Sequence, residues 1–255
     1  MSGHLPDRPP GAREPTATSV IVGGHQEPRR WAESTAAILL LAFSAVLLLV
    51  RLRWAPGAHF DASVARDTRS FAVKHTWLVT LASRLSFFGS IPVIGSLSVL
   101  LGLGLCLKRR FRAAGFVVSI GLLGAALNQL IKRLLARARP VVSDPVAHAN
   151  GASFPSGHAM NSAICYSLII SALLFSGLVR RQRSRTALIS ALALYPLFIG
   201  LSRVALGLHF ASDVLGGWLL GVGWVALGTA IVRPWRRDPA AQKPAAADLS
   251  HHGVC

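Results

Sequence analysis

The run Val214–Val232, VLGGWLLGVGWVALGTAIV, stands between Asp213 and Arg233 and holds no charged side chain. Wound as a helix rising about 1.5 Å per residue, it reaches roughly 28 Å, close to the apolar thickness of a bilayer. Charge-free runs of the same kind occupy 34–50, 85–107, 113–131, 145–179 and 186–202. All but one have the length of a single span. The run 145–179 is too long, and it opens on Pro145, His148, Asn150, Ser153 and Pro155. Its first part therefore reads as loop and about 159–179 as helix. The expected fold is all-α, a polytopic membrane protein built as a six-transmembrane-helix bundle over 34–232.

Working outward, residues 1–33 are rich in Pro, Gly, Arg and Glu with no hydrophobic period, and read as a disordered cytoplasmic tail. Residues 233–255 form a second cytoplasmic tail. The small residues Ala55-Pro56-Gly57-Ala58 resemble a signal-cleavage region, but the polar stretch before the first apolar run is over 30 residues long. An uncleaved first span is the expectation. Between spans one and two, residues 51–84 mix Arg51, Arg53, Asp61, Arg66, Asp67, Arg69, Lys74 and Arg84 with Phe60, Val64, Phe71 and Trp77. That mixture predicts a loop holding an amphipathic helix at the interface.

Composition agrees with a membrane chain. The 255 residues are 52% hydrophobic and 15% charged, with mean hydropathy +0.50, whereas soluble domains carry about 25% charged residues. The net charge of +17 does not read as a nucleic-acid surface, because the cations fall in short clusters between apolar runs and not on one continuous face. They read as topology signals. Arg8, Arg13, Arg29 and Arg30, then Lys108, Arg109, Arg110 and Arg112, then Arg180, Arg181, Arg183 and Arg185, and finally Arg233, Arg236, Arg237 and Lys243 all fall on one side. That side should be cytoplasmic. Both termini are then inside the plasma (inner) membrane, and the remaining loops are outside.

Between Arg84 and Arg233 the only carboxylates are Asp144 and Asp213. Magnesium chemistry needs several hard oxygen ligands, so neither metal nor cofactor is expected. Cys106 and Cys165 lie inside apolar runs and indicate no disulfide framework.

Three polar clusters fall at one membrane face. The first is Lys132-Arg133-Leu134-Leu135-Ala136-Arg137-Ala138-Arg139-Pro140. Lys132 and Arg139 are seven apart, two helical turns, and should share a face until Pro140 ends the helix. Alone, the cluster reads as headgroup anchors. The second, Ser153-Phe154-Pro155-Ser156-Gly157-His158, opens the fourth span. It is either an anion cradle at a helix N-terminus with a titratable His at its edge, or an N-cap Ser with an incidental His. The third, Ser202 to Asp213, holds Arg203 and the pair His209 and Asp213 at i, i+4. On a helix Asp213 could accept the Nδ1–H of His209 and leave Nε2 as a nucleophile; a structural bridge capping the helix is the other reading. Together the three clusters converge Lys132, Arg139 and Arg203, three positive charges matched to a dianionic phosphoryl group.

These segments resemble the type 2 phosphatidic acid phosphatase family: Lys132, Arg139 and Pro140; Pro155, Ser156, Gly157 and His158; Ser202, Arg203, His209 and Asp213 match its pattern without a gap. The resemblance implies an integral membrane lipid phosphatase with a phosphohistidine intermediate. It implies His209 as nucleophile, Asp213 as its orienter and His158 as the proton donor and later base. Lys132, Arg139, Arg203, Ser156 and the Gly157 amide would hold the phosphoryl oxygens. The implied substrate is a phosphomonoester or diphosphate lipid of the undecaprenyl diphosphate, phosphatidic acid or phosphatidylglycerophosphate class, with a slight lean to diphosphates. A lipid phosphotransferase would use the same residues. A non-catalytic scaffold would have lost some of them, and none is lost.

Three smaller readings complete the chain. Gly217-x-x-x-Gly221 should let helices pack closely. Asn128 and Gln129 are expected to hydrogen-bond between helices. His148, His251 and His252 are expected to take no part.

Overall fold

The computed structural model describes residues 27–141, 150–176 and 181–234; His148, Asp144, residues 1–26 and residues 235–255 lie outside them. The described residues form eight helices: α1 (Glu27–Arg51), α2 (Ala55–Lys74), α3 (Thr76–Phe88), α4 (Ile91–Leu107), α5 (Phe111–Leu135), α6 (Gly157–Ser176), α7 (Gln182–Ala205) and α8 (Ala211–Val232). Five of them are long and apolar enough to cross a membrane, or six spans if the bent pair α3–α4 counts as one. The sequence run 85–107 predicted an unbroken span. The chain instead breaks at Gly89-Ser90, where Pro92 at the start of α4 lacks the N–H that would continue the ladder, and the two halves meet at 41°. The first helix also begins earlier than expected, at Glu27, inside the stretch 1–33 assigned to the tail.

Burial is inverted relative to a water-soluble protein. Leu41, Leu100, Leu122, Leu134 and Ile231 are each more than 60% exposed, while Asp61, Arg69, Asn128, Arg203, His209 and Asp213 are each under 8% exposed. Apolar side chains facing outward and polar ones enclosed is the arrangement a bilayer imposes, since hydrocarbon cannot hydrogen-bond to anything.

The centre of the bundle is α8, which packs along α1 on one side and α6 on the other. Small residues set that closeness. A Cβ on Gly217 would stand 2.8 Å from the Ser156 carbonyl, and one on Gly221 2.7 Å from the Met160 carbonyl. The Gly217-x-x-x-Gly221 spacing thus brings α6 and α8 backbone against backbone. On the opposite flank Gly223 meets Leu39 and Leu40 of α1. The buried cluster of Phe116, Val117, Ile120, Phe154, Met160, Ile164, Leu168 and Leu220 ties α5, α6 and α8 together.

Direction follows from these pairings. Glu33 and Ala36 of α1 share a groove with Ala230, Ile231 and Arg233 at the end of α8, so the first and last helices begin and finish at the same end. Arg110 donates to the Phe175 carbonyl and Arg185 to the Leu174 carbonyl, which brings two of the basic loop clusters together at the far end of α6. The C-termini of α5 and α7 and the N-termini of α6 and α8 gather at the other end.

The close approach is testable with alanine alone. Gly221→Ala should lower the thermal midpoint in detergent by the equivalent of about 1–3 kcal/mol. Gly121, which has nothing within 4 Å of a built Cβ, should accept alanine with no loss or a small gain.

Candidate active site

The carboxyl end of α5 supplies the first residues, though not as one helical face. The helix stops at Leu135, and Ala136 adopts a left-handed backbone with φ of 45° and closes the last turn by donating to the Lys132 carbonyl. The expectation that Pro140 ends the helix, with Lys132 and Arg139 two turns apart on it, is therefore corrected: Arg139 lies on an extended strap beyond the helix. Both cations still converge, because the strap folds back along residues 150–153. The Ser153 amide donates to the Arg137 carbonyl at 2.8 Å and the Ser153 hydroxyl to the Ala138 carbonyl at 3.0 Å. Lys132 Nζ then donates to the Ala152 carbonyl at 2.7 Å. Arg139 donates to the carbonyls of Leu208 at 2.7 Å, Gly151 at 3.0 Å and Asn150 at 3.2 Å.

His209 sits in the short connection between α7 and α8 and not on a helix, a second correction to the i, i+4 argument. It meets Asp213 all the same. Phe210 is the N-cap of α8, and Asp213, three residues on, turns back so that Oδ2 accepts the Phe210 amide at 2.9 Å. That places Oδ2 3.4 Å from His209 Nδ1, an ion-pair distance, with no close hydrogen bond formed at Nδ1.

The other ring nitrogen is more informative. Arg139 Nη1 lies 3.2 Å from His209 Nε2. A guanidinium only donates, so Nε2 presents its lone pair and the ring proton belongs on Nδ1, facing Asp213. Burial agrees with a neutral ring, for it pushes the His209 imidazolium from 6.5 down to about 4, against the opposing pull of Asp213. Burial likewise lowers Arg139 from its ordinary value, with Asp213 again opposing.

The remaining predicted residues surround this pair. Ser156 and Gly157 open α6; the Ser156 amide donates to the Asp213 carbonyl at 2.9 Å, joining the second motif to the third. The Ser156 hydroxyl is buried and makes no hydrogen bond among the described residues. His158 is half-buried and within electrostatic reach of Arg203, His209, Lys132 and Arg139. Arg203, buried in the last turn of α7, donates from Nη1 to the Ser86 hydroxyl at 2.5 Å. The eight residues singled out in the three motifs therefore occupy one end of the bundle. Asn128 donates to Met160 Sδ at 3.4 Å, between α5 and α6 as expected.

Four residues outside the predicted set belong to the same neighbourhood. Ser86 and Gly89 come from the α3–α4 bend: Ser86 holds Arg203, and a Cβ on Gly89 would press on Ile199 and on His158 Cδ2. Arg137 and Asp61 form an ion pair at 2.7 Å, and Arg137 pairs with Asp213 at 2.6 Å. Arg137 had been noted only as a neighbour of the first motif, and Asp61 only as one charge in a mixed stretch. The available signal was the spacing Asp61, Ala65, Arg69 and Ala72, which forms the buried stripe of α2. Among the described residues no three His, Cys, Asp or Glu side chains group as a metal site.

A family model described as the PAP2 superfamily matches residues 112–237. A lipid A 1-phosphatase of Rhizobium etli is 32% identical over 228 residues, covering 80% of this chain and 86% of that protein. The chain belongs to the PAP2 superfamily. It is thereby a member of a membrane phosphatase family. Phosphatidylglycerophosphatase B of Bacillus subtilis is 29% identical over 162 residues, covering 64% of this chain and 79% of that protein. The crystal structure of a transmembrane PAP2-type phosphatidylglycerolphosphate phosphatase from Bacillus subtilis superposes with a TM-score of 0.69 at 25% identity, over 76% of this chain and 94% of that one.

The neutral, buried His209 has a thermodynamic signature. Its native pKa is depressed, so the unfolded chain binds the proton first and stability falls as pH drops from 6.5 toward 4. Wild type should lose on the order of 3 kcal/mol more than His209→Gln over that interval, read as the shift in thermal midpoint in detergent. Equal losses in both proteins would show that His209 is not held neutral.

Proposed function

We propose that this PAP2 protein hydrolyses a phosphorylated membrane lipid through a phosphohistidine on His209. The observation that supports it best is the lone pair of His209 Nε2, aimed at Arg139 at 3.2 Å and backed by Asp213 on the other nitrogen. A nucleophile needs an unprotonated atom directed at the reacting centre and a partner for the charge it gains.

The steps use the residues in place. A phosphoryl group entering among Lys132, Arg139 and Arg203 takes the Arg139 donor from Nε2 and exposes the lone pair. Nε2 attacks phosphorus, the bond from phosphorus to the lipid oxygen breaks, and His158 protonates that oxygen. The imidazole becomes cationic, and the Asp213 carboxylate stabilises it across Nδ1. Water then attacks phosphorus and gives its proton to His158; the P–N bond breaks, releasing phosphate and restoring His209. The Ser156 hydroxyl, buried without a protein partner, and the Gly157 amide at the start of α6 are donors for phosphoryl oxygens. No step calls for a metal, so activity should survive EDTA.

The substrate class follows from the relatives and from the fold. The named relatives act on phosphatidylglycerophosphate and on the 1-phosphate of lipid A, and both present a phosphate at a bilayer surface. We place this site on the extracytoplasmic face, since Arg110 and Arg185 mark the opposite end of the bundle with their clusters. Reporter fusions following residue 234 should report the cytoplasm, and a labelled cysteine at Gly151 should be reached from outside.

The chemistry is tested by phosphate release from purified protein over a panel of lipid monoesters and diphosphates. Quenching during turnover should trap an acid-labile phosphohistidine in wild type. His209→Ala should release nothing and trap nothing. His158→Ala should slow monoesters far more than diphosphates, because a lipid alkoxide leaves poorly without a proton while phosphate leaves readily. Equal loss on both substrates would remove His158 from the acid role.

A further inference from the structure

Two of the enclosed carboxylates of this chain are joined by one guanidinium. Asp213 has no exposed surface and Asp61 is 3% exposed. Arg137 lies between them: Nη1 donates to Asp213 Oδ1 at 2.6 Å and to the Ser212 hydroxyl at 2.7 Å, and Nη2 donates to Asp61 Oδ2 at 2.7 Å. The guanidinium carbon stands 4.4 Å from the centre of the Phe210 ring, a cation–π contact that fixes the plane of the fork. Asp61 also accepts the Ser212 amide at 3.0 Å and the Ser212 hydroxyl. Ser212 is in the first turn of α8, so an anion from α2 is fastened to the positive end of the helix that bears Asp213.

Arg137 and Arg139 are two residues apart on one strap and face different chemistry. Arg139 donates to carbonyls and to Nε2, and its charge is left over for an incoming anion. Both terminal nitrogens of Arg137 are committed to carboxylates. Asp213 in turn has Oδ1 on Arg137 and Oδ2 on the Phe210 amide. Those two contacts fix the carboxylate plane and leave Oδ2 turned to His209 Nδ1.

Building on the reading of His209 as nucleophile, we infer that Asp61 and Arg137 are positioning residues for it, acting in the order Asp61, Arg137, Asp213, His209. The helix α2, expected as an amphipathic helix at the interface, is then part of the support of the nucleophile. Loss of such support misdirects the attacking atom without touching the groups that bind phosphate, and a misplacement of about 1 Å can cost 100-fold in rate.

The test is steady-state kinetics of the full-length protein on short-chain phosphatidic acid in detergent micelles. The variants are Asp61→Asn, Arg137→Lys, Arg137→Gln and the pair Asp61→Asn with Arg137→Gln, each with its thermal midpoint. Arg137→Gln should lower kcat about 100-fold and Asp61→Asn about tenfold, with KM and inhibition by inorganic phosphate within about twofold. Arg137→Lys should recover part of the loss, and the double variant should be no slower than Arg137→Gln alone. Asp61→Asn keeps the shape of the side chain and decides the matter should Arg137→Gln fail to fold. Wild-type kcat in Asp61→Asn would overturn the proposal. So would a raised KM with weakened phosphate inhibition in the Arg137 variants, which would make Arg137 a phosphate ligand. A wild-type enzyme that turns over with no trapped phosphohistidine would instead refute the reading of His209 itself.

Discussion

Lys132, Arg139 and Arg203 repel one another, and holding them together at the rim of an apolar bundle is the condition the rest of this end must satisfy. At 4 Å and an effective dielectric near 20 a pair of like charges costs roughly 4 kcal/mol. Carboxylates would remove that cost but would also cancel the charge an anionic substrate needs. The protein uses dipoles instead. Lys132 leans on the Ala152 carbonyl, Arg139 on the carbonyls of Leu208, Gly151 and Asn150, and Arg203 on the Ser86 hydroxyl. Each cation is oriented and partly solvated by protein while its net charge stays intact. The one arginine here paired directly with carboxylates, Arg137, lies on the far side of Asp213 from the nucleophile.

The same economy of charge explains the backbone geometry. A carbonyl can serve as a ligand only where it is not spent on a helix, so the residues that solvate the cations are in the segments 150–153 and 206–210, between helices. His209 is in the second of these for the same reason. Its orientation comes from Asp213 folding back over the N-cap of α8, with Oδ2 shared between the Phe210 amide and the imidazole edge.

The motif residues were legible in the sequence because each is tied to its neighbours at short range, and the apolar runs around them marked where helices must be. The parts that escaped are those decided by tertiary contact. Ala136 in a left-handed conformation ends α5 four residues ahead of Pro140, and alanine, a strong helix former, gives no local sign of it. The bend at Gly89 depends on Ile199 and His158, more than 60 residues away. Asp61 reaches Ser212 and Arg137 across similar or greater separations. Its carboxylate among mixed charges resembled an interfacial helix until the partners on α8 and the strap were in view.

The close seam between α6 and α8 has a consequence for traffic through the site. Gly217 and Gly221 leave no gap between the two backbones, and the Ser156 amide is bonded to the Asp213 carbonyl at their common end. The proposed acid at His158 and the proposed nucleophile at His209 are thus mounted on one rigid block. A head group passing in or out has to displace other walls, of which the jointed α3–α4 pair touches both His158 and Arg203. The catalytic geometry can then stay unchanged while the entrance opens and shuts.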